Sequence, residues 1–215
     1  MLSAHTRRSK REPEDMDMYK KALPVAMAAA ALATLVAAPA SAAAPADAAV
    51  STVAVPDIVI RYGSVHRLKE PNSIFVCPAD EVLIGRDHKG DENGWTKYHC
   101  GQIVIDGEPA SVLDGNWSPT MVESDSHFTT SNDRVILGRR HDGDENGLTQ
   151  YFTGTVHWRG SQVRIASRRW TAAMRESDHS GRAGSNEVMV GRWHNGDENG
   201  DTFYEFGKVA LTVGG

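Results

Sequence analysis

An all-β domain built from three pseudo-equivalent units is the fold class this sequence predicts, and three observations predict it. The strings GRDHKGDENG (Gly85–Gly94), GRRHDGDENG (Gly138–Gly147) and GRWHNGDENG (Gly191–Gly200) recur every 53 residues without drift. Side-chain identity around each string alternates with period two, as on a strand with one constrained face. Beyond the N-terminal segment no helical periodicity appears. Self-similarity at a fixed period means that one supersecondary unit is used three times. The units run approximately over 57–109, 110–162 and 163–215. Units of this size suit a β-trefoil first and a three-sided β-prism second, closed bodies that protect their strand edges.

The chain opens on other material. Lys20-Lys21 lead into the apolar run ALPVAMAAAALATLVA, and Ala40-Ser41-Ala42 supplies a small-x-small cleavage site. This is the grammar of a secretory signal peptide, so residues 1–42 read as signal peptide and leader, and 43–56 as a flexible lead-in. The expectation is a secreted protein with no membrane span in the mature chain. The whole chain carries 23 Lys+Arg and 28 Asp+Glu. Removing the leader's six basic and four acidic residues leaves a net charge of −7, which argues against a phosphate-backbone partner and hence against nucleic acid. Both cysteines, Cys77 and Cys100, lie in the mature part and bracket the first string, so export predicts one disulfide between them.

Within each unit a segment upstream of the string also repeats. Trp117 and Trp170, Met121 and Met174, and Glu123-Ser124-Asp125 and Glu176-Ser177-Asp178 are each 53 apart. Glu70 holds the matching place in the first unit, where Ser64 and Leu68 replace the Trp and Met. An apolar triplet precedes each string, and x-Thr-x-Tyr follows it. Arg86, His88, Thr96 and Tyr98 recur in every copy, whereas their alternates Asp87, Trp95 and Lys97 change. Strand, glycine-rich turn and strand make a β-hairpin. A two-residue turn at Asn93-Gly94 would put the Arg/His and Thr/Tyr pairs on opposite faces. A longer loop from Lys89 to Trp95 sets His88 opposite Thr96 and gathers all four on one face, and this register is preferred. Segments such as Gly101–Ile105 and Gly154–Trp158 continue as strands.

The repeated face admits several chemistries. As a ligand pocket, most naturally for sugar, it comprises Arg86, His88, Asp91, Glu92, Asn93 and Tyr98. The second unit supplies Arg139, His141, Asp144, Glu145, Asn146 and Tyr151, and the third Arg192, His194, Asp197, Glu198, Asn199 and Tyr204. Acidic and amide groups bond hydroxyls while an aromatic ring covers the apolar sugar face, and three weak sites gain avidity. The expected partner is a glycan or cell-surface polysaccharide. The alternative is a structural lock, with Arg86 paired to Asp91 or Glu92 and His88 capping a loop carbonyl. Under it the protein is a protein-interaction, adaptor or inhibitor scaffold whose function sits on varied positions such as Trp95, Trp193 and Phe203. Asp91, Asp144 and Asp197 are hard oxygen donors suited to calcium, although the EF-hand spacing is missing and no cofactor is required. Zinc held by the three His would need them to converge. Threefold copying works against an enzyme, which tunes two groups apart in one asymmetric pocket, and no catalytic motif is present.

Overall fold

The computed structural model describes residues 55–91, 93–144 and 146–211, so the signal-peptide and leader reading lies outside the described residues. Strand is the dominant element. The first unit contributes β1 (Ile58–Lys69), β2 (Ser73–Val76), β3 (Glu81–Lys89), β4 (Trp95–Ile105) and β5 (Glu108–Pro109). The second contributes β6 (Ser111–Trp117), β7 (Met121–Val122), β8 (Asp125–Thr129), β9 (Arg134–Asp142), β10 (Leu148–Trp158) and β11 (Ser161–Gln162). The third contributes β12 (Arg164–Trp170), β13 (Met174–Arg175), β14 (Asp178–Arg182), β15 (Glu187–Asn195) and β16 (Asp201–Ala210). No helix occurs among the described residues.

The strands form three antiparallel sheets, each centred on one repeated hairpin: β3–β4, β9–β10 and β15–β16. The long-loop register holds in all three. Lys89 lies opposite Trp95 and His88 opposite Thr96. His141 faces Thr149, and His194 faces Thr202. The loop closes because Gly90, Gly143 and Gly196 adopt φ of 116°, 100° and 103°, a region side chains avoid. The Asn-Gly step is therefore the far side of a turn begun at Asp91, whose carbonyl accepts from Gly94 N–H at 2.7 Å.

Each sheet takes its edge strand from another unit. β2 of the first unit pairs with β9 of the second, β8 of the second with β15 of the third, and β14 of the third with β3 of the first. The exchange closes on itself. It also explains the glycine that opens every string. A Cβ at Gly138 would lie 2.1 Å from the Phe75 carbonyl oxygen on the exchanged strand, and one at Gly191 2.8 Å from that of Phe128. A side chain there would push the exchanged strand away. The Cys77–Cys100 disulfide forms as expected. Cys77 N–H bonds to Leu137 C=O on the second sheet, so the bond ties the exchanged segment of the first unit back to its own hairpin.

The apolar triplets explain the core. Val82, Val135 and Val188 pack with Ile84, Leu137 and Val190 in one cluster drawn from all three units. Leu83, Ile136 and Met189 turn the other way, into a second cluster with Tyr98, Tyr151 and Tyr204. Strands β3, β9 and β15 are thus buried on both faces and touch one another. Continuous apolar triplets, rather than alternation, are the sequence consequence.

Candidate functional site

The repeated polar residues meet in the interior. Glu70, Glu123 and Glu176 follow β1, β7 and β13, and their N–H groups donate to the carbonyls of loop glycines Gly94, Gly147 and Gly200 at 3.2, 2.9 and 3.0 Å. That contact aims the carboxylates at the arginines of the central strands. Arg86 contacts Glu70 at 2.6 Å and Glu176 at 3.0 Å. Arg139 contacts Glu123 at 2.8 Å and also Glu70. Arg192 contacts Glu176 at 2.9 Å and Glu123 at 2.5 Å. Three cations and three anions alternate in a closed ring, each arginine joining the glutamates of two units. Every member is at most 8% exposed.

Inside a protein such a ring survives only when fully paired. Burial works to raise the Glu70 and Glu176 carboxyls, yet the flanking guanidinium groups override it and hold both well below the usual carboxylate range. Glu123 is lowered in the same way by Arg139 and Arg192. The remaining repeated residues brace the ring. Arg86 donates to Tyr204 Oη at 2.8 Å and Arg192 to Tyr151 Oη at 3.4 Å. Arg139 Nε donates to Thr149 Oγ1 at 2.9 Å, and Arg192 Nε to Thr202 Oγ1 at 3.2 Å. His88 Nε2 lies 3.2 and 3.1 Å from the carbonyls of Gly90 and Asp91, locking the loop onto the ring. Burial, then Arg139, pushes His141 down to about 4. Burial pushes the Tyr204 phenol up to about 12.

The eighteen residues assigned to a ligand face are therefore split by the fold. Arg86, Arg139, Arg192, Tyr98, Tyr151 and Tyr204 are at most 2% exposed, out of reach of a surface ligand, and the three histidines are buried beside them. Asp91, Asp144, Asp197 and the asparagines Asn93, Asn146 and Asn199 sit exposed at the loop tips, while Glu198 is half-buried. Glu92 and Glu145 lie outside the described residues. The arginines pair with upstream Glu70, Glu123 and Glu176, and among the described residues Arg86 makes no ion pair with Asp91. The 53-residue spacing of those glutamates was the signal that could have identified them.

A cavity of about 30 Å³, room for about one water, lies where the three units meet. Its lining includes the three ring glutamates, His88, His141, His194, Asp91, Asp197 and Glu198. One carboxylate oxygen from each of Glu70, Glu123 and Glu176 lies within 4.8 Å of the others, a spacing open to a metal ion. Three arginines already cancel their charge, so the ring offers a cation no surplus negative field. At the loop tips Asp91, Asp144 and Asp197 each accept from the Asn N–H two residues on, at 3.0, 3.0 and 2.8 Å, so one oxygen of each is committed to the turn.

His127 and His179, 52 residues apart, read from the sequence as surface residues. The structure places His127 outside but buries His179, which bonds Tyr204 Oη at 2.7 Å. On a strand one residue of slip changes the face. His179 occupies the inward place held by Ser73 and Ser126, and His127 the outward place held by Ile74 and Ser180.

The outward faces differ from sheet to sheet at matching positions. Across the first run Ser180, Asp87, Lys97 and Arg67; across the second, Ile74, Arg140 and Gln150; across the third, His127, Trp193 and Phe203. Trp193 stacks on Phe203 at 4.8 Å with His127 5.6 Å away, so its neighbours on both sides are aromatic. Trp95 and Trp193 are 40% and 39% exposed. Compared with known proteins, the chain matches no family model, no curated protein and no solved structure.

Proposed function

We propose that this is a secreted, non-catalytic binding module for carbohydrate, with the repeated GRxHxGDENGxTxY elements as its frame and the outward sheet faces as its ligand surface. We read the frame as a closed three-sided body, nearer a prism than a trefoil, because each unit centres its own sheet. One observation carries the reading. The shared Arg, His, Thr and Tyr of the three hairpins are buried and linked to the same ring, whereas their alternates on the same strands differ between units and face outward, with Trp95 and Trp193 exposed and Phe203 half-buried. Residues that are free to diverge on a common frame are where recognition is placed. The acid–base groups of the frame favour binding over catalysis, since they are spent on mutual ion pairs. Calcium enters this proposal only at the loop tips Asp91, Asp144 and Asp197, as a bridge to sugar hydroxyls.

The test is a broad glycan array probed with the purified protein, in calcium and again in chelator. Glycan binding in either condition supports the module. Loss with chelator assigns the loop tips a metal bridge, and survival assigns direct contact. A blank array in both conditions overturns the carbohydrate reading in favour of a protein-interaction scaffold.

A further inference from the structure

We infer that the first sheet carries a seat for an anionic glycan, in the groove beside Trp95. This rests on the carbohydrate reading above and specifies its ligand. The mature chain is acidic and holds only four lysines, Lys69, Lys89, Lys97 and Lys208. Three of them lie on this one sheet, around Trp95 and Arg67. Lys69 pairs with Trp95 across β1–β4, Lys97 with Arg67 across the same strands, and Lys89 with Trp95 across β3–β4. Arg67 sits 3.9 Å over the Trp95 ring and Lys69 Nζ 4.8 Å over it.

The charges do not cancel. Asp87 is taken by Arg182 at 2.5 Å, and Asp178 by Lys89 at 3.3 Å. Arg67, Lys69 and Lys97 are left with no carboxylate within ion-pair distance among the described residues. Arg67 and Lys97 border a groove of about 390 Å³ whose lining also includes Trp95, Lys89, Asp87 and Asp178. That is within the usual range of small-ligand sites. The fold does not require this patch. At the places of Trp95, Lys97, Lys89 and Lys69 the second unit has Leu148, Gln150, Asp142 and Val122, and the third has Asp201, Phe203, Asn195 and Arg175. A local surplus of positive charge beside an exposed indole, on a protein otherwise negative, matches a sugar ring that bears an acidic group. The ammonium and guanidinium groups meet the anion, and the indole covers the apolar ring face.

The experiment measures binding of the intact protein to polygalacturonate, chondroitin sulfate, neutral dextran and double-stranded DNA, at low and high salt. The acidic glycans are expected to bind, dextran to bind weakly, and added salt to weaken binding. Preference for polygalacturonate assigns a carboxylate ligand, and preference for chondroitin sulfate a sulfated one. Lys97→Glu should weaken acidic-glycan binding about tenfold or more, whereas Lys208→Glu, the same charge change on another sheet, should change it less than about twofold. Both residues are exposed, and both variants should keep the parent melting temperature. Equal binding of dextran, or an unchanged affinity in Lys97→Glu, overturns the anionic seat and leaves the carbohydrate reading standing. DNA binding as tight as the acidic glycans overturns it in favour of an unspecific polyanion patch. No glycan bound at all overturns both.

Discussion

Glu123→Gln keeps the size of the side chain and removes one charge from the ring. The carboxylate it replaces is 5% exposed and touches Arg139 at 2.8 Å and Arg192 at 2.5 Å. Each arginine then retains one glutamate, and the buried ring carries a net positive charge it cannot hydrate. Removing one partner of a buried ion pair costs about 3–5 kcal/mol. For a domain of this size each kcal/mol moves the midpoint by about 2–4 °C, so a fall of roughly 6–20 °C is expected. Circular dichroism during heating, with urea titration for the free energy, reads the effect. The control is Glu108→Gln. Glu108 pairs with Arg159 at 2.6 Å, but both side chains are more than half exposed, at 52% and 57%, and its loss should leave the midpoint unchanged. A Glu123→Gln variant as stable as the Glu108→Gln control refutes the claim that the ring holds the units together.

Acid should begin to lower the protein's stability before its carboxylates titrate. Burial lowers His141 and His179 from 6.5 to about 4, so both are neutral when folded. Their contribution is fully present above pH 6.5 and is lost as pH falls toward 4, at up to about 1.4 kcal/mol per pH unit for each; a melting temperature that is flat over that window contradicts it. The ring glutamates, also lowered, add their loss only further down. Replacing both Cys77 and Cys100 with Ser should cost about 3 kcal/mol for a loop of sequence separation 23, measured by urea unfolding, with the strand-rich spectrum retained. Gly138→Ala drives a Cβ to 2.1 Å from the Phe75 carbonyl and should lower the midpoint far more than Gly107→Ala, where only the positive φ of 82° resists. Equal melting temperatures for the two would show that the exchanged strand does not press on β9.

The hairpins and their register were legible because period-two alternation and a glycine-rich loop are local signals. Only one register puts Arg86, His88, Thr96 and Tyr98 on one face, and Arg86 does lie opposite Tyr98. The exchange of β2, β8 and β14 left no local trace, since an edge strand pairs through its backbone whichever unit it comes from. Its one sequence sign was the recurring Gly85, Gly138 and Gly191, whose role needs the partner strand in view. The lock reading pairs Arg86 with Asp91 or Glu92 because they are near in sequence. Its partners lie 16 and 90 residues away; the 53-residue spacing of Glu70, Glu123 and Glu176 marks them as shared, but which arginine each one meets depends on the fold. His179 shows the same limit from another side, because its off-by-one spacing concealed an inward position.

Direct comparison of frame and surface is the sharpest test, since the buried shared residues are proposed to carry stability and the outward, divergent ones recognition. The measurement is glycan affinity of Glu123→Gln, taken well below its own melting midpoint. Affinity within about twofold of the parent is expected, because Glu123 is buried and paired away from the outward faces. Binding lost while the variant is still folded would contradict it, and would make the Arg–Glu ring itself part of the ligand site.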